Sequence, residues 1–454
     1  LSSLRPTERL IEHVAAQRFE SLPPAAVAAA KSFIRDSLGV ALAGTRVPGV
    51  RELLGVAARS GMGSAARIFG TGERVPAPTA AMINAYQIHN LEFDCVHEPA
   101  VVHPMAAVLA TLLAWAEERG EVSGRSLITA CSAAVDVATT IGAAARNPLR
   151  FFRPAMCGAL GATAGIAVLE ELPPTTLWSA LGLCYSQLSG TMQAHIEGSP
   201  VLPMQIGFNT RAAITAIDLA RRGVQGPRDF LEGPFGYFSL IDPQWDPAGF
   251  ADLGSVFRIT ELSHKPFPSG RATHGGIDGV LTLKAAHGFA AESVETVTVR
   301  APPLVLQLVD RPAHADMAPS YARLCGPYVV ATALLQGNVG VLDFEAAAIA
   351  DPRRLELAAR VRLLDDGNPS RNALAPQRVE VRLTDGRSLA LDLPEVLGAP
   401  GRPLGREGEL AKFRAAAASG LRPLPPAQVA ALEAEIESLE RLVDLRTLVD
   451  LMMF

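Results

Sequence analysis

Through the first 260 residues apolar side chains return every three or four positions, segment after segment, which commits this part of the chain to packed helices. Residues 24–44 set the pattern, with Val27, Ala30, Ile34, Leu38 and Ala41 on one face and Pro23-Pro24 at the start. The same spacing predicts helices over Thr79–His89, His103–Glu118, Ser126–Ala145, Ala155–Leu169, Thr175–Ser189 and Gly207–Arg222. Gly120 and Gly223, each just past an arginine, read as helix stops. The period changes after Pro268. Val297 and Val299, then Val361 and Leu363, alternate as in strands. Val379, Val381 and Leu383 are followed by Asp385-Gly386 and by Leu389, Leu391 and Leu393, a hairpin signature. Helical patterns intervene at Gly275–His287 and Tyr321–Leu335. Residues 268–400 therefore read as a smaller α+β unit. A Gly/Pro-rich stretch from Gly398 to Gly405 leads into a last helix carrying Val429, Leu432, Ile436, Leu439 and Val443, expected to pack back on the first helices.

A chain of 454 residues exceeds one ordinary core, so two domains are expected. Aromatics make up only 6% against 49% apolar residues overall, which implies a core of Ala, Leu and Val. The net charge of −5 leaves no basic face for phosphates and argues against a nucleic-acid partner. The five cysteines, Cys95, Cys131, Cys157, Cys184 and Cys325, are scattered without a C-x-x-C pair, as expected of buried thiols in a reducing cytoplasm. The first thirty residues carry charges throughout and no apolar signal core. The Ala155–Leu169 run is too short to span a bilayer, so no membrane partner is expected.

Three polar constellations interrupt this apolar background. The first runs from His89 through Glu92, Asp94, Cys95, His97 and Glu98 to His103-Pro104. Asp94, Cys95, His97, Glu98 and His103 are ligand types that suit zinc or iron. Their spacing is not that of a helical ligand pair, and Pro99 and Pro104 place the segment in a loop. Acid/base chemistry is the better reading, with His103 at a helix N-terminus, where the dipole disfavours its protonated form. A metal-dependent hydrolase or lyase built on Asp94, His97 and His103 is the alternative. The second constellation is His264-Lys265-Pro-Phe-Pro-Ser-Gly-Arg271-Ala-Thr-His274, at the junction of the two units, where ligand sites commonly form. Arg271 offers a planar fork and Lys265 an ammonium to a carboxylate. The third is Tyr321-Ala-Arg-Leu-Cys-Gly-Pro-Tyr328, in which the Tyr328 phenol is a candidate donor to an enolate oxygen. There is no nucleophile elbow, P-loop or dinucleotide fingerprint, and Gly158 and Gly161 lie inside a helical pattern that points to close helix packing.

Taken in order, these segments resemble the MmgE/PrpD family, which includes 2-methylcitrate dehydratase, cis-aconitate decarboxylase and iminodisuccinate epimerase. Asn84-Ala-Tyr-Gln-Ile-His89 followed by Glu92-Phe-Asp-Cys95 is similar to the family's Asn…His…Asp-Phe-Asp-Asp stretch. His103-Pro104, Lys265-Pro-Phe-Pro…His274, Ala322-Arg-Leu-Cys-Gly-Pro-Tyr328 and Lys412-Phe413 match further family motifs. The resemblance implies a mainly α fold. A large all-helical domain would be built from both chain ends (1–267 and 405–454), with a smaller α+β lid domain (268–404). It implies a cytoplasmic homodimer and chemistry on small di- or tricarboxylates with neither metal nor organic cofactor. Carried over residue by residue, His103, Lys265, Tyr328 and Asp94 are the catalytic candidates. Arg271, Arg153, His97, His274 and Gln205 are the substrate-binding ones. Leu202 and Gln205 stand where the family commonly has Lys and His, Arg153 where it has His, and Glu92 and Cys95 where it has Asp. The expected reaction is proton abstraction α to a carboxylate, in a dehydratase-like lyase or an isomerase. A weakly catalytic carboxylate-binding member is a further alternative.

Overall fold

The computed structural model describes residues 5–59 and 63–454. It is mainly α-helical with a small mixed sheet. Pro24–Gly44 forms a helix over the expected span, and Ala77–His89, Pro104–Arg119, Gly124–Ala144 and Arg153–Leu169 follow within two residues of expectation. Val201–Arg221 starts six residues before Gly207, because Pro203 falls in the first turn, where its missing N–H costs nothing. Pro174–Tyr185 stops short of Ser189, whose backbone is claimed at both N–H and C=O by the Asn209 side chain.

Close approach between helices depends on missing side chains. A Cβ on Gly161 would lie 2.4 Å from the Ala134 carbonyl oxygen, and one on Gly207 would lie 2.5 Å from that of Met82. Gly39 likewise makes room for the Phe413 ring, which seats Gly405–Ala418 against Pro24–Gly44. Gly124–Ala144 is long and apolar enough to cross a membrane, but 94% of its apolar window is buried inside the protein, as in a core helix.

The sheet has the order Val361–Asp365, Val294–Ala301, Gln377–Leu383, Ser388–Leu393. The first pair is parallel and the others antiparallel. Asp385-Gly386 turns the hairpin, with Gly386 at a φ of 90°. His274–His287 packs on the sheet, and a Cβ at Gly279 would sit 2.4 Å from Val379. The segment expected as one helix over Tyr321–Leu335 is instead Pro319–Ala322 and Gly326–Gln336, because Pro327 in the first turn starts a new helix. The last helix, Pro426–Glu437, also ends early, and Val443 is exposed rather than on its buried face. A short antiparallel pair, Ala66–Arg67 with Arg74–Val75, lies unannounced among the helices.

Gly161→Ala is expected to lower stability by about 1–3 kcal/mol through overpacking against Gly124–Ala144. Urea denaturation measures this, and an unchanged midpoint contradicts the close approach.

Candidate active site

Two sequence-distant loops are stitched together by backbone. Val96 and Ser263 exchange both hydrogen bonds, at 3.1 and 2.8 Å, which sets the Lys265 segment beside the 94–103 loop. That loop is a tight hairpin closed by His97 and Val102, and it ends at His103, the N-cap of Pro104–Arg119. Glu98 accepts from Ser263 Oγ at 2.6 Å and from Arg271 Nε at 2.9 Å, tying the second constellation to the first. The turn after His89 is held from the other side by Lys412, which donates to the Phe93 carbonyl and pairs with Asp36. Glu92 and Val101 both have left-handed backbone, at φ 52° and 53°. For a β-branched valine that conformation is strained, and strain of this kind gathers at functional sites.

These ties enclose a group of buried charges. The Asp94 carboxylate lies 3.0 Å from His89 Nδ1 and 3.5 Å from His103 Nδ1. Lys265 donates to Glu92 at 3.1 Å and stands 3.9 Å from Asp94. The two imidazole rings meet edge to face, 4.9 Å apart. Burial would raise the Asp94 carboxyl, but His89 and His103 outweigh it and hold it well below its usual range. Burial would likewise raise Glu92, yet Lys265, then His89 and His103, bring it to about 2. The histidines move in opposite directions. Burial lowers His89, but Asp94 and Glu92 raise it above its ordinary value. Burial and then Lys265 lower His103, and Asp94 only partly opposes them. The surroundings therefore favour the protonated form of His89 beside Asp94 and the neutral form of His103.

His89, Glu92 and His103 form one wall of a small cavity of about 60 Å³, whose polar lining also includes Arg153, His195 and Arg271. Asp94 and Lys265 stand behind this wall. Arg271 lines the cavity with its donors on Glu98 and on the Val396 and Leu397 carbonyls. Arg153 lines the cavity with its donors on Asp242, the Asn147 carbonyl and Asn372.

The remaining expected residues lie outside the lining. Tyr328 is buried, donates to the Asp343 carbonyl at 2.5 Å and accepts from Arg354. This phenol fixes the Val341–Phe344 turn and does not reach the cavity. Gln205 clamps Thr191 through its N–H and C=O, holding the strand that backs Phe152. His274 bonds the Ser269 carbonyl and is held far below its usual value by burial, then by Arg271 and Lys265. His97 binds Glu261 at 3.1 Å and accepts from the Ala100 N–H.

His97 is thus apart from the possible ligands, so a centre of Asp94, His97 and His103 is not formed. His89 takes its place: one ligand atom each from His89, Asp94 and His103 lies within 4.8 Å of the others. The Lys265 ammonium already supplies positive charge there and would repel a cation. Two further groups carry no motif in the sequence. His195 lines the cavity, with Arg311 3.4 Å from its Nδ1, and burial followed by Arg311 lowers it to about 4. Arg323, inside the third constellation, is buried with its Nε unpartnered, and burial lowers it to about 10.

Models of the MmgE/PrpD N-terminal and C-terminal domains match residues 8–248 and 267–438. The chain belongs to the MmgE/PrpD family. Its relatives include the cis-aconitate decarboxylases of Mus musculus and Homo sapiens. The mouse protein is 27% identical over 93% of this chain and 88% of its own. The human protein is 28% identical over 86% and 83% respectively. The Aspergillus terreus cis-aconitate decarboxylase is 24% identical over 95% of this chain and 93% of its own. Motifs that are weak singly in this family member converge in space through the Val96–Ser263 pairing.

Lys265→Met removes the ammonium that neutralises Glu92 and is expected to cost about 3–5 kcal/mol in chemical denaturation. Adding Glu92→Gln should recover part of the loss, and a purely additive double variant contradicts the pairing.

Proposed function

We propose that this protein is a lyase of the MmgE/PrpD type that acts on a small di- or tricarboxylic acid through a carbanion α to a carboxylate. The neutral His103 imidazole beside the His89–Asp94 ion pair, at the wall of the cavity, carries this reading. In a dehydration His103 removes the α-proton and its imidazolium then protonates the hydroxide that leaves as water; in a decarboxylation a protonated His103 gives its proton to the carbanion that carbon dioxide leaves behind. Asp94 lies 3.5 Å from Nδ1, so Nε2, on the other side of the ring, is the nitrogen assigned to substrate. The His89 imidazolium offers positive charge next to the reacting carbon, where the enolate-like intermediate gathers its negative charge. The relatives' decarboxylase names favour a lyase, and an epimerase would use the same proton step without loss of a group. Homodimerisation and a cytoplasmic setting are part of the same proposal, by analogy with the family. The chemistry proposed needs neither metal nor organic cofactor, since Lys265 and His89 supply the charge.

Incubation in deuterated water with citrate, 2-methylcitrate, cis-aconitate and iminodisuccinate is expected to place deuterium at the carbon α to a carboxylate in at least one of them. Proton NMR reads this out, and product analysis separates loss of water, loss of carbon dioxide and inversion. His103→Asn should slow exchange by about 10²–10⁴-fold. Exchange that persists in this variant, or that stops with a chelator, sinks the assignment. Because the pKa of His103 is lowered, its basic form is kept to lower pH than in a free imidazole. The acid limb of kcat/KM is therefore expected to have its midpoint below 6.5. A limb centred above that value contradicts the lowered pKa.

A further inference from the structure

His195 is a cavity-lining imidazole with no part in the proposed proton transfer. It sits in the short helix Gln193–Glu197, between the long helices that end at Tyr185 and start at Val201. This turn is fastened by the segment from Arg311 to Tyr321 at three points. Arg311 donates through Nη1 to the His195 carbonyl at 3.2 Å and through Nη2 to the ring Nδ1 at 3.4 Å. Ser320 donates to the Gly198 carbonyl. Gly198, at φ 64°, lets Tyr321 approach so closely that a Cβ there would lie 2.5 Å from the Tyr321 Cβ. Arg311 is held in turn, by a bond to the Leu308 carbonyl and by the Tyr321 ring, 4.8 Å below its guanidinium.

A guanidinium only donates, so the contact between Arg311 and Nδ1 has one direction. Nδ1 must present its lone pair, which leaves the ring proton on Nε2. A second proton, on Nδ1, would face the guanidinium. Burial, followed by Arg311, accordingly lowers His195 to about 4 and keeps it neutral. Among the described residues no protein group hydrogen-bonds to Nε2. The other polar groups of the lining are taken up by carboxylates: Arg153 by Asp242, Arg271 by Glu98 and His89 by Asp94. Leu202, also in the lining, is apolar, and Gln205 is occupied by Thr191.

We infer that His195 is a further catalytic group, a neutral donor whose Nε2–H bonds a carboxylate oxygen of the substrate, and that Arg311 is the positioning residue that fixes its tautomer. The bond tightens as negative charge gathers on that oxygen in the enolate-like intermediate, while the proton stays on the ring. The identity of the ligand as an acid with such an intermediate rests on the proposed function; the tautomer and the role of Arg311 do not.

Ring nitrogen NMR of the full-length protein, labelled with ¹⁵N in histidine, tests this at pH 7. His195 is assigned by the signals that His195→Gln removes. The free protein is expected to show the Nε2–H tautomer at His195. Arg311→Met should let the Nδ1–H tautomer or the imidazolium appear, and Arg311→Lys, which keeps a donor, should restore the original form. Saturation with citrate, 2-methylcitrate, cis-aconitate or iminodisuccinate is expected to move the Nε2–H proton downfield for at least one of them. His195→Phe should slow deuterium uptake into that acid by about 10²-fold, and His195→Gln, whose amide nitrogen stands in for Nε2, should recover about ten-fold of the loss. His195→Asn, which places its amide near Nδ1 instead, replaces the phenylalanine variant if that one does not fold. An Nδ1–H tautomer or an imidazolium in the free protein overturns the inference, as does an Nε2–H signal that none of the four acids moves. A downfield shift without deuterium uptake upholds His195 as the donor to substrate and removes the proton-transfer reading. Uptake that His195→Phe leaves intact keeps that reading and removes His195 from it.

Discussion

Everything in this site follows from burying five ionisable side chains together. A buried charge is tolerated only with a partner, so each group dictates the state of the next. Lys265 holds Glu92 ionised, and His89 with His103 hold Asp94 ionised. Burial, and then the positive charge of Lys265, lowers His103, while the carboxylates raise His89 against its own burial. Two chemically identical imidazoles 4.9 Å apart thereby take different roles. The rest of the fold supplies the walls that bury the five groups and the backbone ties that keep them in register.

Those ties explain the position of the strained residues. Glu92 must leave the end of Ala77–His89 and turn its carboxylate back toward Lys265, and a left-handed residue makes that turn in the shortest distance. Val101 closes the hairpin that delivers His103 to the start of Pro104–Arg119. Neither position is occupied by glycine, so the surrounding contacts over-determine the backbone there.

Helix positions were legible in the sequence because burial imposes its period on composition, as at Val27 to Ala41. Helix ends were less so. Tyr185 and Val201 are set by Asn209 and by the tolerance of a first turn for Pro203, neither of which has a period. In the site, His103, Asp94 and Lys265 were readable because polar residues stand out in an apolar chain and keep a family order. Arg271 and Tyr328 have partners that no motif announces. A sequence shows that a donor exists, and only the fold shows that Glu98 or the Asp343 carbonyl has already taken it. His195 and Arg323 have the converse history: ordinary in sequence, they become unusual only once buried.

The long reach of these ties also bears on how the chain comes to be folded. Glu92 waits for a lysine 173 residues further on, and the Phe93 carbonyl for one 319 residues away. Closing loops of that length is entropically costly and rewards the chain only at the end. While the chain is emerging from the ribosome, the helices up to Val201–Arg221 can begin to collapse, yet the lysine partners of Glu92 and Asp36 have not been made. The buried charged group is therefore also a checkpoint: it is complete only once Lys265 has arrived.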